Sequence, residues 1–452
     1  MTTLADQLAQ ALALVSTGAL DEDYSKIATA AAVAEQPSET PSPSSLRRAG
    51  LLGCGGFASV WLVVEEPSAT PLDSMCAAAA ARVPPRGYRP TTPGQRRVTH
   101  RLETRSVPQR RWGLKQLRKG LLAKLGDEAA ERVLVEKAAH EELRHPFILS
   151  LVSAFQDATS LYFLLELAEG GDLFDVCGAF DGARLPETTC QFYSASLALA
   201  LDHMHTKQYV YRDLKPENVL LDARGYVKLA DLGYAKKIAK GESRTFTQCG
   251  TEEYAPPELL HGRGRTFAAD WWSLGVLLYE LLLGRPPFEG ETATGTFELI
   301  NTYAKAGPAA NNALRGVLID EGVTADGAAI VSGLLVAREP ERLGCTADGF
   351  AGLSRHPWYA TTDWRALLHK QVAAPWLPPP LDPGRLAEKA RRAEVEHAKV
   401  LEELPFDVKR GAAFAKFGPV ATLDLDGGQD EFDVDPTPAT PDVVANTSPE
   451  LF

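Results

Sequence analysis

One stretch constrains this chain more than any other: the run Tyr-Val-Tyr-Arg-Asp-Leu-Lys-Pro-Glu-Asn-Val-Leu at positions 209–220. It places Asp213, Lys215 and Asn218 on one short loop, and the triplet Asp231-Leu-Gly233 follows soon after it. Any fold that this chain adopts must therefore serve a site built from two carboxylates, one amide and one ammonium group. Glycine at the end of the triplet is expected to allow a sharp backbone turn after Asp231.

These side chains match the needs of phosphoryl transfer. A carboxylate must hold the attacking hydroxyl, a cation must neutralise the moving phosphate, and an amide with a second carboxylate must hold Mg²⁺. We therefore predict that Asp213 accepts or orients the hydroxyl proton and that Lys215 steadies the phosphate. Asn218 and Asp231 are the predicted Mg²⁺ ligands. The alternative is that these Asp and Asn residues only cap loops, which their shared spacing makes a poor explanation.

Composition excludes several other classes of protein. The chain has 452 residues, of which 45% are hydrophobic and 23% charged, as in ordinary soluble globular proteins. A formal net charge of −12 argues against a general nucleic-acid binder. Six cysteines without a C-x-x-C pair suggest neither a zinc site nor a disulfide framework, so we expect a reducing cytoplasmic or nuclear compartment. Neither a signal peptide nor a transmembrane helix is expected.

The order of the sequence patterns predicts an α+β fold with two lobes around a cleft, because a strand-rich front precedes a helix-rich back. Strands are predicted near 50–64 and 112–117, two or three more over 147–167, and helices over 127–143, 187–207, 268–284, 326–337 and 385–404. The predicted units are an N-terminal extension and linker (1–46), a two-lobed domain (47–360, small lobe 47–167, large lobe 168–360) and a C-terminal extension (361–452).

The segment 65–111 combines an alanine run, several prolines and nine arginines, without helical or strand periodicity. We predict a disordered insertion within a hairpin, since loop-closure entropy grows slowly with length. The alternative interpretation is a docking patch or a patch for anionic membranes.

A glycine-rich turn and a lysine predict the site for the nucleotide phosphates. The turn Gly53-Cys-Gly-Gly-Phe-Ala-Ser-Val60 stands between two predicted strands, where small residues let backbone N–H groups approach phosphate oxygens. Its predicted contact residues are Gly53, Gly55, Phe57 and Val60. Lys115 ends the strand pattern Trp-Gly-Leu-Lys, and Glu136 on the next helix is its predicted partner. A plain tight turn, a solvated lysine and a surface glutamate are the alternatives.

Taken together, the motifs resemble those of Ser/Thr protein kinases of the AGC group. The resemblance rests on the run from Tyr211 to Asn218, on Ala235-Lys-Lys-Ile, on Thr245-Phe-Thr-Gln-Cys-Gly-Thr-Glu-Glu-Tyr and on Asp270-Trp-Trp-Ser-Leu-Gly. It covers about 50–64 and 112–380 and is greatest to the catalytic domains of cGMP- and cAMP-dependent kinases. It implies the bilobal protein-kinase fold, ATP and Mg²⁺ as cofactors, and protein substrates.

The resemblance also assigns further roles in nucleotide binding and activation. Leu165 resembles the gatekeeper, Glu166 to Ala168 should offer backbone groups to adenine, and Leu220 completes the nucleotide site. Phosphate on Thr247 would order an activation segment against positive charges. The residues expected around this phosphate are Arg212, with Lys236 and Arg132 as helpers. Thr251 is expected to brace Asp213 and Lys215 on the loop 211–218, the predicted catalytic loop. A loop ordered without phosphate is the alternative.

Acidic residues at family positions imply the substrate class. Asp172, Glu217 and Glu280 match positions that read arginines before the target Ser/Thr, which predicts a basophilic kinase. The alternative is that they are solvated surface acids. An upstream activating kinase is an expected partner, no specific nucleic acid is expected, and the oligomeric state is left open. The 49 residues before the first predicted strand are too few for a cyclic-nucleotide-binding domain, so direct activation by cAMP or cGMP is not expected.

Several residues depart from the family pattern. The departures are Ala58 in the glycine-rich turn, Gly113 on the adenine-facing strand, His140 four residues after Glu136, Glu252 in the substrate-facing loop, and Pro256 before Pro257-Glu258. All of them except Glu252 support an alternative function, a pseudokinase scaffold that binds nucleotide or partners without turnover. Glu252 bears instead on the residue preferred just after the target Ser/Thr. His140 is expected to be a satisfied core histidine. Glu258 is predicted to pair with Arg342, and either Phe417 or Phe452 is expected to fill a pocket on the small lobe.

Overall fold

The computed structural model describes residues 24–35, 39–54, 58–66, 110–239, 244–245, 250–382, 384, 414 and 417–421. Five predictions therefore lie outside the described residues: the contacts of Gly55 and Phe57, the phosphosite Thr247, the disordered insertion over most of 65–111, the helix 385–404, and the placement of Phe452.

The small lobe is built on a five-stranded antiparallel sheet in the order β1-β2-β3-β5-β4. Its strands are β1 (Leu46–Cys54), β2 (Ala58–Glu65), β3 (Arg111–Arg118), β4 (Leu151–Gln156) and β5 (Ser160–Leu165). Strand β5 is buried along its whole length because both faces of the sheet are covered. Phe163 belongs to one apolar cluster and Tyr162 to another, as the alternation of a strand requires.

Strands β2 and β3 pair directly on either side of the insertion. Val64 lies opposite Arg111, and the N–H of Glu65 donates to the carbonyl of Arg110 over 2.9 Å. The register also places Val60 opposite Lys115, which aligns the glycine-rich turn with the lysine. The pairing of β2 with β3 thus joins the glycine-rich turn to Lys115, whatever the length of the chain between these two strands.

The large lobe is mainly helical, and two long helices form its centre. Within the described residues, the α-helices are α1 (Tyr24–Glu35), α2 (Lys119–Leu125), α3 (Asp127–Glu142), α4 (Leu173–Cys177), α5 (Glu187–Thr206), α6 (Pro257–Leu260), α7 (Ala268–Leu283), α8 (Ala293–Ala306), α9 (Pro308–Asp320), α10 (Ala325–Leu334), α11 (Gly349–Ser354) and α12 (Trp364–Leu368). Helix α7 is apolar and buried nearly all round, as expected for a helix inside a large core. Among the described residues, no helix has the length and apolar character needed to cross a membrane.

The sequence analysis missed two of the longer helices of the large lobe, α8 and α9, as well as the short helices α4, α6, α11 and α12. Helices α8 and α9 have many polar and small residues and bury little: Thr296, Ile300 and Tyr303 in α8, and Leu318 in α9. The apolar residues of both helices nevertheless recur with helical spacing, so the sequence carried a periodic signal that the prediction did not use. A proline at the first position of α9 is favourable because its missing N–H is not needed there.

Short strands carry the catalytic loop and the segments that follow it. They are β6 (Tyr209–Val210), β7 (Val219–Leu221), β8 (Val227–Leu229) and β9 (Lys236–Lys237). Strand β6 pairs with β9, and β7 pairs with β8. Since the catalytic loop lies between β6 and β7, and Asp231 lies between β8 and β9, these two small sheets bring the two motifs together.

A segment far along the chain docks on the small lobe. Phe417 is 0% exposed and packs edge-on against Phe163 with ring centroids 5.1 Å apart, and Phe414 is buried in the same cluster. Gln156 Nε2 donates to the carbonyls of Phe414 (3.1 Å) and Gly418 (2.8 Å). The structure therefore places Phe417 in the pocket for which the sequence offered two candidates.

Candidate active site

The catalytic loop draws its predicted residues into one hydrogen-bonded group. Asn218 Nδ2 donates to Asp213 Oδ2 over 2.7 Å and to the Asp213 carbonyl over 2.8 Å. Lys215 Nζ lies 3.5 Å from Asp213 Oδ2 and donates to Thr251 Oγ1 over 3.1 Å. Thr251 thus braces the lysine, and the lysine and the amide hold the Asp213 carboxylate in one orientation.

A buried aspartate holds the start of this loop. Asp270, on the first turn of α7, accepts the N–H groups of Tyr211 and Arg212, each over 2.9 Å, and its Oδ2 lies 2.8 Å from His205 Nε2. These bonds offset the cost of Arg212, whose φ of 74° is rare for a residue with a side chain. The strained conformation turns the chain so that Asp213 enters the cleft.

A lysine and two acids connect the two lobes. Lys115 Nζ donates to Glu136 Oε1 over 2.6 Å and to Asp231 Oδ1 over 3.3 Å. Burial by itself would lower the pKa of the Lys115 ammonium, but the carboxylates of Asp231 and Glu136 outweigh it and raise that pKa. The lysine is therefore a fixed positive charge between β3, α3 and the Asp231 turn.

The turn at Asp231 differs from the sequence expectation. Asp231 itself has the positive φ, 49°, and its side chain accepts the N–H of Gly233 over 3.2 Å. Glycine is favoured at position 233 for a steric reason instead, because a Cβ there would lie 3.1 Å from Asp231 Oδ1 and 3.5 Å from Glu136 Oε2. Aspartate tolerates the left-handed region through such local hydrogen bonds, and glycine leaves room for its carboxylate.

The two carboxylates of the site are driven in opposite directions. Burial raises the pKa of Asp213, although Lys215 and Asn218 act against it. The positive charge of Lys115 lowers the pKa of Asp231. Asp231 therefore stays ionised, as a metal ligand must, while Asp213 becomes a better proton acceptor. A pair of acids with diverging pKa values is a common mark of divided roles in catalysis.

The predicted metal ligands fit Mg²⁺. Asp231 is 45% exposed and ionised, and Asn218 uses its Nδ2 on Asp213, which leaves its amide oxygen as the group for a cation. Mg²⁺ is commonly held by one or two protein oxygens together with substrate phosphates and water. In the part of the chain that the structure describes, no group of three or more His, Cys, Asp or Glu could hold a metal without such a substrate.

The residues predicted to contact adenine lie on β3, at the end of β5 and in the segment after it, and on β7. The space between them is the predicted adenine slot. An ideal Cβ on Gly113 would lie 3.6 Å from the Glu166 carbonyl oxygen, so that oxygen faces the strand carrying Lys115. Leu165 pairs with Gly113, and Ala168 and Leu220 pack half-buried against the small-lobe cluster. The N–H of Glu166 donates to the Ser150 carbonyl over 3.0 Å, so the hydrogen-bonding group Glu166 offers to a base is its carbonyl. Gly53 lies opposite Val60 at the outer end of the slot.

The basic residues predicted to receive a phosphate are not equally placed. Arg212 donates to the Tyr234 carbonyl over 2.7 Å and to Thr245 Oγ1 over 3.1 Å, so it reaches the activation segment. Lys236 is half-buried on β9, and Arg132 is exposed on α3. Because Thr247 lies outside the described residues, its approach to these cations remains a prediction.

The predicted substrate acids lie near one another on the large lobe. Glu280 accepts a hydrogen bond from the Tyr254 hydroxyl. The pKa of Glu280 is raised mainly by burial, and further by the negative charges of three nearby acids, Glu217, Glu253 and Glu289. Asp172 uses one carboxylate oxygen to cap α4 through the Asp175 N–H, over 2.8 Å. Glu217 is exposed. Crowded carboxylates of this kind gain from a cationic ligand.

His140 is buried, as expected, but only part of its polar capacity is used. One ring nitrogen bonds the backbone of Leu149, whereas Nδ1 has no hydrogen-bond partner among the described residues. Burial, followed by the nearby charge of Lys115, lowers the pKa of His140 to about 4. The imidazole is therefore neutral near pH 7, which agrees with the expectation that it is no switch in that range.

This buried imidazole predicts a loss of stability in acid. Between the folded pKa of about 4 and the usual value of 6.5, the unfolded chain binds a proton that the folded chain does not. The free energy of unfolding should therefore fall as the pH drops through this window and level off below it. In denaturant titrations between about pH 7 and about pH 5, the free energy of unfolding should fall less in His140→Leu than in wild type, by about 1–2 kcal/mol. The exposed His261→Leu is the control, and an equal loss in both variants would contradict the prediction.

Two contacts of the site were missed by the sequence analysis. Lys228, on β8, binds the Glu166 carboxylate beneath the adenine slot. A lysine inside the otherwise apolar run Tyr226-Val-Lys-Leu was the available signal, because a buried ammonium requires a partner. The bond between Tyr254 and Glu280 joins residues 26 apart and has no local pattern that could have revealed it.

Comparisons with known proteins agree with this geometry. A family model described as "Protein kinase domain" matches residues 104–359, more than half of the chain. Mouse "Ribosomal protein S6 kinase alpha-2" is 38% identical over 267 residues, covering 59% of this chain and 34% of that protein. "cAMP-dependent protein kinase catalytic subunit" of Dictyostelium discoideum is 35% identical over 268 residues, 59% of this chain and 38% of its own length. The same-named protein of Arthrobotrys oligospora is 35% identical over 270 residues, 59% and 48% respectively. The chain thus spans about a third to a half of the length of these curated relatives.

Proposed function

This chain belongs to the protein kinase family, and on that premise we propose that it is an active kinase that transfers the γ-phosphate of ATP to Ser or Thr. The observation that carries the proposal is the joint placement of Lys115, Glu136 and Asp231 with the catalytic loop. A scaffold has no physical need for both a phosphate-binding charge and a held proton acceptor. The predicted resemblance to AGC-group kinases is confirmed by the named relatives, and the α+β bilobal fold class is confirmed by the sheet and helix lobes.

The first part of the mechanism is binding and orientation. Lys115, held by Glu136, would pair with the nucleotide phosphates, and Asp231 with Asn218 would hold Mg²⁺. Mg²⁺ held there would supply positive charge that offsets the negative charge of the phosphates. The fixed positions of these groups lower the entropy that must be lost when the reacting atoms align.

The second part is the treatment of the substrate hydroxyl. Asp213 Oδ2 is held by Asn218 and Lys215, so its carboxylate can accept the hydroxyl proton or orient it. Lys215 supplies positive charge beside the transferring phosphate, with Thr251 holding its ammonium group. The raised pKa of Asp213 favours proton acceptance by this acid over Asp231.

Substrate choice and regulation form the finer part of the proposal. The crowded acids Glu280, Glu217 and Asp172 support recognition of Arg or Lys before the target residue. Activation by phosphate on Thr247 is supported by the reach of Arg212 into the activation segment. We propose the cytoplasm or the nucleus as the compartment, because the scattered cysteines suggest reduced thiols. An upstream activating kinase is the proposed partner.

The direct test uses the full chain, radiolabelled ATP and a Ser peptide with upstream arginines, beside a matched Tyr peptide. Label on the Ser peptide that requires Mg²⁺ supports the proposal. If no label appears even after the activation segment has been phosphorylated, the pseudokinase alternative takes its place. The departures Ala58, Gly113, His140 and Pro256 would then be the first residues to revert.

The substrate rule makes a separate prediction. Glu217→Ala should lower kcat/KM for the arginine peptide by about 10- to 100-fold, because a charge-assisted hydrogen bond contributes about 1.5–3 kcal/mol. For a peptide with alanine in place of the upstream arginine, Glu217→Ala should change kcat/KM little. Glu128→Ala, an exposed glutamate on the small lobe, serves as the control. An unchanged preference for arginine in Glu217→Ala would refute the rule.

A further inference from the structure

A buried ion pair lies beneath the segment that follows β5. Lys228 is 2% exposed, and its Nζ donates to both carboxylate oxygens of Glu166, over 2.8 and 2.7 Å. Burying an ammonium group is costly unless it is paired and hydrogen-bonded. Two short bonds to one carboxylate meet that need, and they set the orientation of Glu166 from below.

The Glu166 carboxylate is held from a second side as well. Its Oε1 accepts the N–H of Ser150 over 2.7 Å, and the N–H of Glu166 donates back to the Ser150 carbonyl over 3.0 Å. Both the side chain and the backbone of Glu166 are therefore fixed to the segment that leads into β4. Little rotational freedom is left to its peptide groups.

The pair also sits between the two walls of the adenine slot. Lys228 lies directly opposite Leu220 in the β7–β8 ladder, and side chains of opposed residues share a face of the sheet. On the other wall, the Glu166 carbonyl faces Gly113 at 3.6 Å from the position of a Cβ. Lys228 thus contacts Glu166, whose carbonyl would read the base, and lies opposite Leu220, which is predicted to complete the nucleotide site.

We propose that Lys228 is a positioning residue for the adenine base of the nucleotide. The inference rests on the nucleotide site of the proposed function but not on phosphoryl transfer itself. Lys228 holds Glu166 so that its carbonyl keeps the direction and spacing that a base requires. Folding already fixes the orientation of Glu166, so nucleotide binding does not have to order this residue. That is the advantage of a pre-organised site.

A purely structural ion pair makes a different prediction. Loss of such a pair would lower the stability of the whole domain and would affect every ligand alike. Loss of a positioning residue should affect ligands that contain adenine and spare those that contain only phosphates. Lys370 offers a matched control, because it is also a buried lysine, 4% exposed, paired with Asp222 over 3.2 Å.

The experiment compares wild type, Lys228→Met, Lys370→Met and the double variant Glu166→Gln/Lys228→Met as full-length proteins. Dissociation constants are measured for ATP and for inorganic tripolyphosphate with Mg²⁺, along with KM for ATP, kcat and thermal stability. Lys228→Met should weaken ATP binding and raise its KM by about three- to tenfold, as expected for the loss of one ordered hydrogen bond. The dissociation constant for tripolyphosphate and the value of kcat should stay within about twofold of wild type.

The double variant separates positioning from stability. It leaves no unpaired buried charge, so its thermal stability should recover toward wild type, whereas its weak ATP binding should persist. The inference is overturned if ATP and tripolyphosphate weaken together, if Lys370→Met has the same effect, or if wild type binds no adenine nucleotide. Wild type that binds ATP but transfers no phosphate would refute the proposed function alone.

Discussion

Replacing Asp231 by alanine is expected to lower kcat for peptide phosphorylation by about 10³-fold or more, while the protein stays folded. The substitution removes a metal ligand and the negative charge opposite Lys115, and loss of even one preorganised electrostatic contact costs about 10²–10³ in kcat. The fold should survive because Asp231 is partly exposed and Glu136 remains as the partner of Lys115.

The measurement is initial-rate kinetics with labelled ATP, with circular dichroism and thermal unfolding to verify folding. ATP affinity measured without Mg²⁺ should change little, whereas the gain in affinity that Mg²⁺ supplies should be lost. Asp348→Ala, an acid with a 68% exposed side chain, should behave as wild type. Equal phosphorylation by Asp231→Ala and wild type would refute both the metal assignment and the proposed catalytic site.

The largest effect on stability is expected at Arg342. Its side chain is 0% exposed, donates to Glu258 Oε1 and Oε2 over 2.8 and 2.9 Å, and also donates to the Ala268 carbonyl over 2.7 Å. Replacing Arg342 by Met keeps much of the volume but leaves the Glu258 carboxylate buried without its partner. Breaking a buried pair in this way costs about 3–5 kcal/mol of unfolding free energy.

Denaturant unfolding measures the effect, and two variants frame it. Arg338→Met breaks the exposed pair between Arg338 and Glu341, so it should cost less than about 1 kcal/mol. The double variant Glu258→Gln/Arg342→Met removes both charges and should recover part of the loss. If Arg342→Met lowers the free energy of unfolding no more than Arg338→Met does, the pair between Arg342 and Glu258 does not stabilise the large lobe as predicted.

The catalytic loop shows how far local sequence reaches. Asp213, Lys215 and Asn218 lie within six positions of one another, so any compact turn brings their side chains together. The pairing of Lys115 with Glu136 also followed from motif order, although the residues are 21 apart. The helical pattern of apolar residues predicted α5 and α7 to within a residue at each end, because those residues recur over many turns.

Other features needed the folded chain. Positive φ at Asp231, where the sequence analysis assigned the turn to Gly233, results from hydrogen bonds and close packing around one carboxylate. The deciding contacts at this turn, among them the approach of Glu136, come from neighbours that no short window of sequence contains.

Sequence alone determined the chemistry of this protein, since the acids, the amide and the lysine of the site stand in a fixed order with fixed spacing. Tertiary structure alone decided which distant groups meet: Lys228 with Glu166 across 62 positions, and Phe417 against Phe163. The physical reason is that burial selects such partners. A charge or a ring taken out of water is stabilised by whatever the completed core places beside it, and that depends on the whole chain.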